Sequence, residues 1–136
     1  TRYAPRLVRE HGLEDRVHFT GRLTVDELVK HYCRSEIAVT ASVYEGFGLP
    51  CAEAMSCGTP VIATRAGALP EIIGSDGAGI LVPPADPESL AGAIRSLLGD
   101  KPMREKMGHA ARKRIEEVFS WDVAARKTLA VYEEVL

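Results

Sequence analysis

Three short apolar runs, Ile37-Ala38-Val39-Thr40, Pro60-Val61-Ile62-Ala63-Thr64 and Gly79-Ile80-Leu81-Val82, alternate with longer stretches in which apolar residues recur at helical spacing. That alternation restricts the fold more than any other feature. A strand that is apolar on both sides of its pleat has no face for water, so it belongs inside a sheet covered twice. Strands joined through helices pair in parallel. A fourth run, Val17-His18-Phe19-Thr20, reads as a further strand. The expected fold is α/β: a Rossmann-like parallel sheet with helices on both faces.

The helical stretches carry their own start and stop signals. Leu7, Val8 and Leu13 line an opening helix that stops at Gly12. Thr24-Val25-Asp26-Glu27 is a capping box opening a helix with Leu28, Val29 and Tyr32 on one side. Asp86 followed by Pro87 starts a helix carrying Leu90, Ile94, Leu97 and Leu98. Two more follow, one over about Met103 to Val118, the other from Ser120 with Val123, Ala124, Leu129, Val131 and Tyr132.

Composition limits the function. With 136 residues, 46% of them hydrophobic, the chain fills one domain, 1–136, with a core of its own. A net charge of -2 supplies no basic footprint for nucleic acid. Cys33, Cys51 and Cys57 match neither a disulfide framework nor a metal site, which points to a reducing cytoplasm. No apolar run reaches the ~18 residues needed to span a bilayer. The basic run Arg104, Lys106, His109, Arg112, Lys113 and Arg114, interleaved with Glu105, Glu116 and Glu117, reads as a solvated helix face; membrane contact, if any, is peripheral.

In open parallel sheets ligands sit beyond the carboxyl ends of the strands, here the loops after Thr20, Ser42, Thr64 and Val82. The second of these holds Glu45-Gly46-Phe47-Gly48-Leu49-Pro50-Cys51-Ala52-Glu53. Gly46 and Gly48 let backbone N–H groups approach a ligand, and Pro50 suits the first turn of a helix whose N-terminus attracts phosphate. With Pro50 opening the helix, Glu53 lies in the first turn and Cys51 sits where a thiol pKa is lowered. Glu45 and Glu53 then face one cavity from different elements and accept from paired hydroxyls. The plainer reading makes Glu45 a solvated loop residue and Glu53 a helix-dipole partner.

These residues, with Arg16-Val17-His18-Phe19-Thr20-Gly21, Glu53-Ala54-Met55-Ser56-Cys57-Gly58-Thr59-Pro60, Gly79 through Pro84 and Phe119-Ser120-Trp121, resemble the retaining GT-B glycosyltransferases that include glycogen and sucrose synthases and bacterial mannosyltransferases. The resemblance covers nearly the whole chain. It implies the C-terminal, nucleotide-sugar-binding half of a GT-B fold without its first strand, and transfer of a hexosyl group to an acceptor hydroxyl. Glu45 would contact the transferred sugar and influence the reaction electrostatically. Glu53 would hold the ribose, the backbone of Gly46, Phe47, Gly48 and Leu49 would meet sugar and phosphate oxygens, and Gly21 and Arg22 would border the base. The donor is a UDP-, GDP- or ADP-sugar, with no cofactor and no metal.

Similar proteins place an Arg and a Lys upstream of this segment and the acceptor site on a separate N-terminal domain, which this stretch of sequence does not supply. The fragment is therefore expected to be inactive alone, and the whole protein cytoplasmic or membrane-associated. The loop Ala66-Gly67-Ala68-Leu69-Pro70-Glu71 departs from the pair of adjacent glycines usual in such proteins. Glu71 reads equally as a first-turn acid or as a functional group. Rival readings are a non-catalytic nucleotide-sugar-binding module and a GT-B epimerase or phosphorylase; a dinucleotide oxidoreductase is disfavoured by the lack of G-x-G-x-x-G after a strand.

Overall fold

The computed structural model describes residues 3–135. Three parallel strands, β1 (Ala38–Thr40), β2 (Val61–Thr64) and β3 (Ile80–Val82), lie in the order β1-β2-β3. Val39 pairs with Ile62 and Ala63 with Leu81. All four residues of β2 are buried, as its unbroken apolar run requires of a central strand.

The described residues form seven α-helices, α1 (Tyr3–Glu10), α2 (Val25–Arg34), α3 (Leu49–Ser56), α4 (Leu69–Ile73), α5 (Pro87–Gly99), α6 (Lys101–Arg114) and α7 (Trp121–Val135), of which α3, α4, α5 and α6 pack on the sheet. The pleat of β2 divides the core. Val61 and Ala63 pack with Met55 of α3, Leu69 and Ile72 of α4 and Ala111 of α6, whereas Ile62 packs with Leu97 of α5 and Met107. Helices therefore cover both faces, as expected. No described helix is long and apolar enough to cross a membrane.

The local signals act as read. Glu27 N–H donates to the Thr24 hydroxyl at 3.4 Å and Thr24 N–H to the Glu27 carboxylate at 2.8 Å, closing the capping box of α2. Asp86 accepts from Ser89 N–H at 3.0 Å and starts α5. Asp100 does the same for α6, accepting from Met103 N–H at 2.9 Å, a cap absent from the sequence reading.

Two of the expected elements differ in kind. Residues 17–20 form no strand: Val17 and Phe19 are exposed, and no backbone hydrogen bond among the described residues ties 18–20 to the sheet. Alternating apolar residues make a strand only when a neighbour supplies the ladder and a layer covers one face, and here neither does. The helix expected over Met103 to Val118 is instead α6 running into a π-helical turn at Ile115–Phe119.

Arg114, the last residue of α6, ties distant parts together. Its guanidinium donates to Glu71 O and Ile72 O, each at 2.7 Å, and to the Asp76 carboxylate at 3.0 Å, and it lies over the Phe119 ring. Three more members of the basic run form ion pairs, two of them one helical turn away. Arg104 reaches Glu36, Arg112 reaches Glu116 and Lys113 reaches Glu117, as a salt-bridged solvated face would.

Candidate functional site

The carboxyl ends of β1, β2 and β3 open onto a cleft of about 230 Å³ lined by Ala41, Val43, Thr64, Pro83, Ala85 and Pro87. Three of the loops chosen from the sequence thus converge. Ala85 holds a φ of 55°, a left-handed conformation costly for a residue with a Cβ, at the turn leading into α5.

The β1–α3 loop is built around Glu45. Thr64, at the end of β2 and 4% exposed, donates its hydroxyl to Ser42 O at 2.5 Å. The Ser42 hydroxyl donates to Glu45 Oε2 at 3.1 Å, and Gly48 N–H donates to Glu45 Oε1 at 3.2 Å. Each carboxylate oxygen is thereby fixed by one donor and keeps a lone pair for a ligand hydroxyl. Glu45 is half-buried, so the solvated-loop reading gives way to that of an organised acceptor.

Gly48 sits at φ 89°, ψ 40° as the N-cap of α3, and a Cβ there would come within 2.9 Å of Leu69 Cδ2. Only glycine fits both demands. The helix begins at Leu49, one residue earlier than Pro50 alone suggests, which places Pro50 in the first turn and moves Glu53 out of it. The Gly48 N–H expected to face a phosphate is taken by Glu45. The first-turn N–H of Leu49, which has no intrahelical acceptor, remains. Leu49, Gly46 and Phe47 are exposed, whereas Cys51, whose N–H also lacks an intrahelical acceptor, is buried.

Glu53 is exposed on α3 and accepts from the Tyr32 hydroxyl of α2 at 3.5 Å through Oε2. It is no first-turn dipole partner. Cys51 also differs from expectation: it is 1% exposed, and burial, assisted by the Glu45 charge, pushes its thiol up to about 11. The helix start is there, but desolvation of the thiolate outweighs it. Cys57 is half-buried.

The loop before α4 closes the site from behind. Gly67 has φ 52°, and a Cβ on it would overlap the Glu45 carbonyl; Ala68 N–H donates to that same oxygen at 3.2 Å. The alanine that departs from the glycine pair takes an ordinary right-handed conformation, φ -78°, ψ -9°, so only the first position demands glycine. Glu71 falls in the first turn of α4, where the helix dipole favours an acid. Gly21, at φ 66°, and Arg22 are exposed, and no hydrogen bond among the described residues joins them to the Glu45–Glu53 segment.

The sequence marks Ser42 and Thr64 only as strand ends, Tyr32 only as a helix-face residue and Gly67 only as part of a loop beside the site. A hydroxyl ending an otherwise apolar buried strand was the one available signal, at Thr64. The others act through contacts with residues far along the chain.

A profile of the family described as glycosyl transferases group 1 matches residues 2–114. The MMP alpha-(1->4)-mannosyltransferase of Mycolicibacterium hassiacum is 43% identical over 132 residues, covering 96% of this chain and 32% of that protein. Among solved structures, sucrose-phosphate synthase from Thermosynechococcus elongatus superposes with a TM-score of 0.90 at 37% identity, over 98% of this chain and 34% of its own. Anabaena HepE in complex with UDP superposes at 0.85 with 26% identity, over 99% of this chain and 36% of its own. The chain thus spans about a third of the length of each of these relatives.

Proposed function

Because this chain belongs to the group 1 glycosyl transferases, we propose that it forms the donor-binding part of a retaining hexosyltransferase that takes a nucleoside-diphosphate sugar. The observation that carries this reading is the β1–α3 turn. Two carboxylates with acceptor positions to spare, Glu45 and Glu53, flank a left-handed glycine at a helix start. The sugar hydroxyls belong at Glu45, the diphosphate at the free N–H of Leu49 and the exposed backbone of Gly46 and Phe47, and the ribose at Glu53. Gly21 and Arg22 border the base.

When the sugar–phosphate bond breaks, negative charge collects on the diphosphate, and a preorganised helix start stabilises it without reorganising. A protein nucleophile is not needed. Glu45 is held by Ser42 and Gly48, which suits it to orienting and electrostatic work rather than to covalent attack. The acceptor hydroxyl then attacks from the face the diphosphate leaves, aided by its oxygens, with no metal or cofactor. The acceptor site is assigned to a separate N-terminal domain of the intact protein, and the cations nearest the diphosphate to an Arg and a Lys upstream of the Glu45–Glu53 segment; the intact protein is placed in the cytoplasm or at a membrane surface.

A UDP-sugar is the first donor to test because HepE was solved with UDP; GDP- and ADP-sugars follow. In the intact protein, Glu45→Ala and Glu53→Ala are each expected to lower transfer roughly 100-fold, the scale of removing one preorganised polar group, with unchanged unfolding midpoints. Near-normal transfer by both variants would sink the assignment. Inversion at the anomeric carbon of the product would refute retention.

A further inference from the structure

Glu53 is an exposed acid on a helix, a setting in which a carboxylate ordinarily samples several rotamers. Here one neighbour limits it. Tyr32 lies one layer away on α2, half-buried against the cluster of Met55, Val61 and Leu69. Its backbone carbonyl accepts the hydroxyl of Thr59, itself 3% exposed, at 2.8 Å, so the end of α2 is tied to the turn that follows α3. From that anchored ring the hydroxyl reaches Glu53 Oε2, while no described residue bonds Oε1.

We propose that Tyr32 is a positioning residue for Glu53: its hydroxyl holds Oε2 and presents Oε1 to the vicinal hydroxyls of the donor's ribose. The inference rests on the reading of Glu53 as the ribose-binding carboxylate. The phenol must stay protonated to donate. Burial and then the Glu53 charge push its pKa above the ordinary value, which keeps the proton in place throughout the neutral range. Leu28 and Val29 line the same groove with Ser56 and Cys57, and the Ser56 hydroxyl is spent on the backbone carbonyl of Glu53 at 2.7 Å.

Calorimetry on the intact protein with UDP, GDP and ADP first identifies a nucleotide that binds. That nucleotide and its 2′,3′-dideoxy form are then titrated into wild type, Tyr32→Phe, Glu53→Ala and the double variant. Tyr32→Phe is expected to weaken the ribonucleotide roughly three- to tenfold, the value of one hydrogen bond, and to leave the dideoxy form and the Glu53→Ala background unaffected. If no nucleotide binds, the donor-site reading itself fails. If Glu53→Ala weakens binding but Tyr32→Phe does not, or weakens both nucleotides alike, the positioning role is overturned.

A second measurement needs no Tyr32 variant. The phenol titration, followed by the ring-carbon NMR shift, is expected to move to lower pH in Glu53→Gln because the neighbouring negative charge is gone. An unchanged midpoint overturns the contact.

Discussion

Replacing Gly67 by alanine separates two costs that a left-handed glycine usually combines. Gly67 and Gly77 both have positive φ, 52° and 76°, but a Cβ on Gly77 meets nothing within 4 Å, whereas one on Gly67 runs into the Glu45 backbone. Gly77→Ala therefore reports backbone strain alone, about 1 kcal/mol. Gly67→Ala adds the displacement of Glu45, with loss of the Ala68–Glu45 hydrogen bond at about 1 kcal/mol and overpacking of about 1 kcal/mol or more. The sum is about 3 kcal/mol.

In urea, with an m-value of about 2 kcal/mol/M, the midpoint should fall by roughly 1.5 M for Gly67→Ala and roughly 0.5 M for Gly77→Ala. Nucleoside-diphosphate affinity, read by calorimetry on the same samples below the transition, should fall only in Gly67→Ala. Equal midpoints for the two variants, or unaltered affinity in Gly67→Ala, would refute the role given to the Gly67 turn as a backstop for Glu45.

Arg114→Met leaves Glu71 O and Ile72 O without their shared donor and should destabilise by about 1–3 kcal/mol in urea, with Arg114→Lys recovering only part because it lacks the planar fork. Iodoacetamide at pH 8 should label the exposed Cys33 in the native protein and reach Cys51, with its thiol near 11, only after unfolding, as peptide mass spectrometry will reveal. Hydrogen bonds from the Thr24 backbone and hydroxyl lower the Glu27 pKa from its model-peptide 4.5, so the capping box contributes fully above that pH and is lost as pH falls through the lower folded value. Thr24→Ala should cost about 1 kcal/mol at neutral pH and flatten the acid limb of stability below pH 4.5; an unchanged limb would contradict the box.

What the sequence reveals is whatever the chain decides locally. Central strand β2 is apolar at every inner position, and the caps at Thr24 and Asp86 lie within three residues of the donors they satisfy, so both are visible without the fold. Residues 17–20 carry the strand pattern yet lack the neighbour that would use it, and the pattern cannot report that absence. The Glu45–Glu53 turn is legible because its glycines and proline are adjacent. Its true orientation is not, since it depends on Thr64 and Gly67 from the next loop. Cys51 shows the same divide: its position on α3 suggests an activated thiol, and its burial by distant residues reverses the sign.

The grip of Arg114 on α4 sets an order of events during synthesis. A five-residue helix is too short to persist alone in water, and the acceptors that fasten its far end are filled by a side chain 42 residues beyond Ile72. At the ribosomal pace of about 5–20 residues per second, the nascent chain waits roughly 2–8 s between making α4 and making its clamp. During that interval the segment backing Glu45 lacks the Arg114 contacts at its far end. Maturation of the turn therefore waits for the end of α6, although every residue in the turn is made before it.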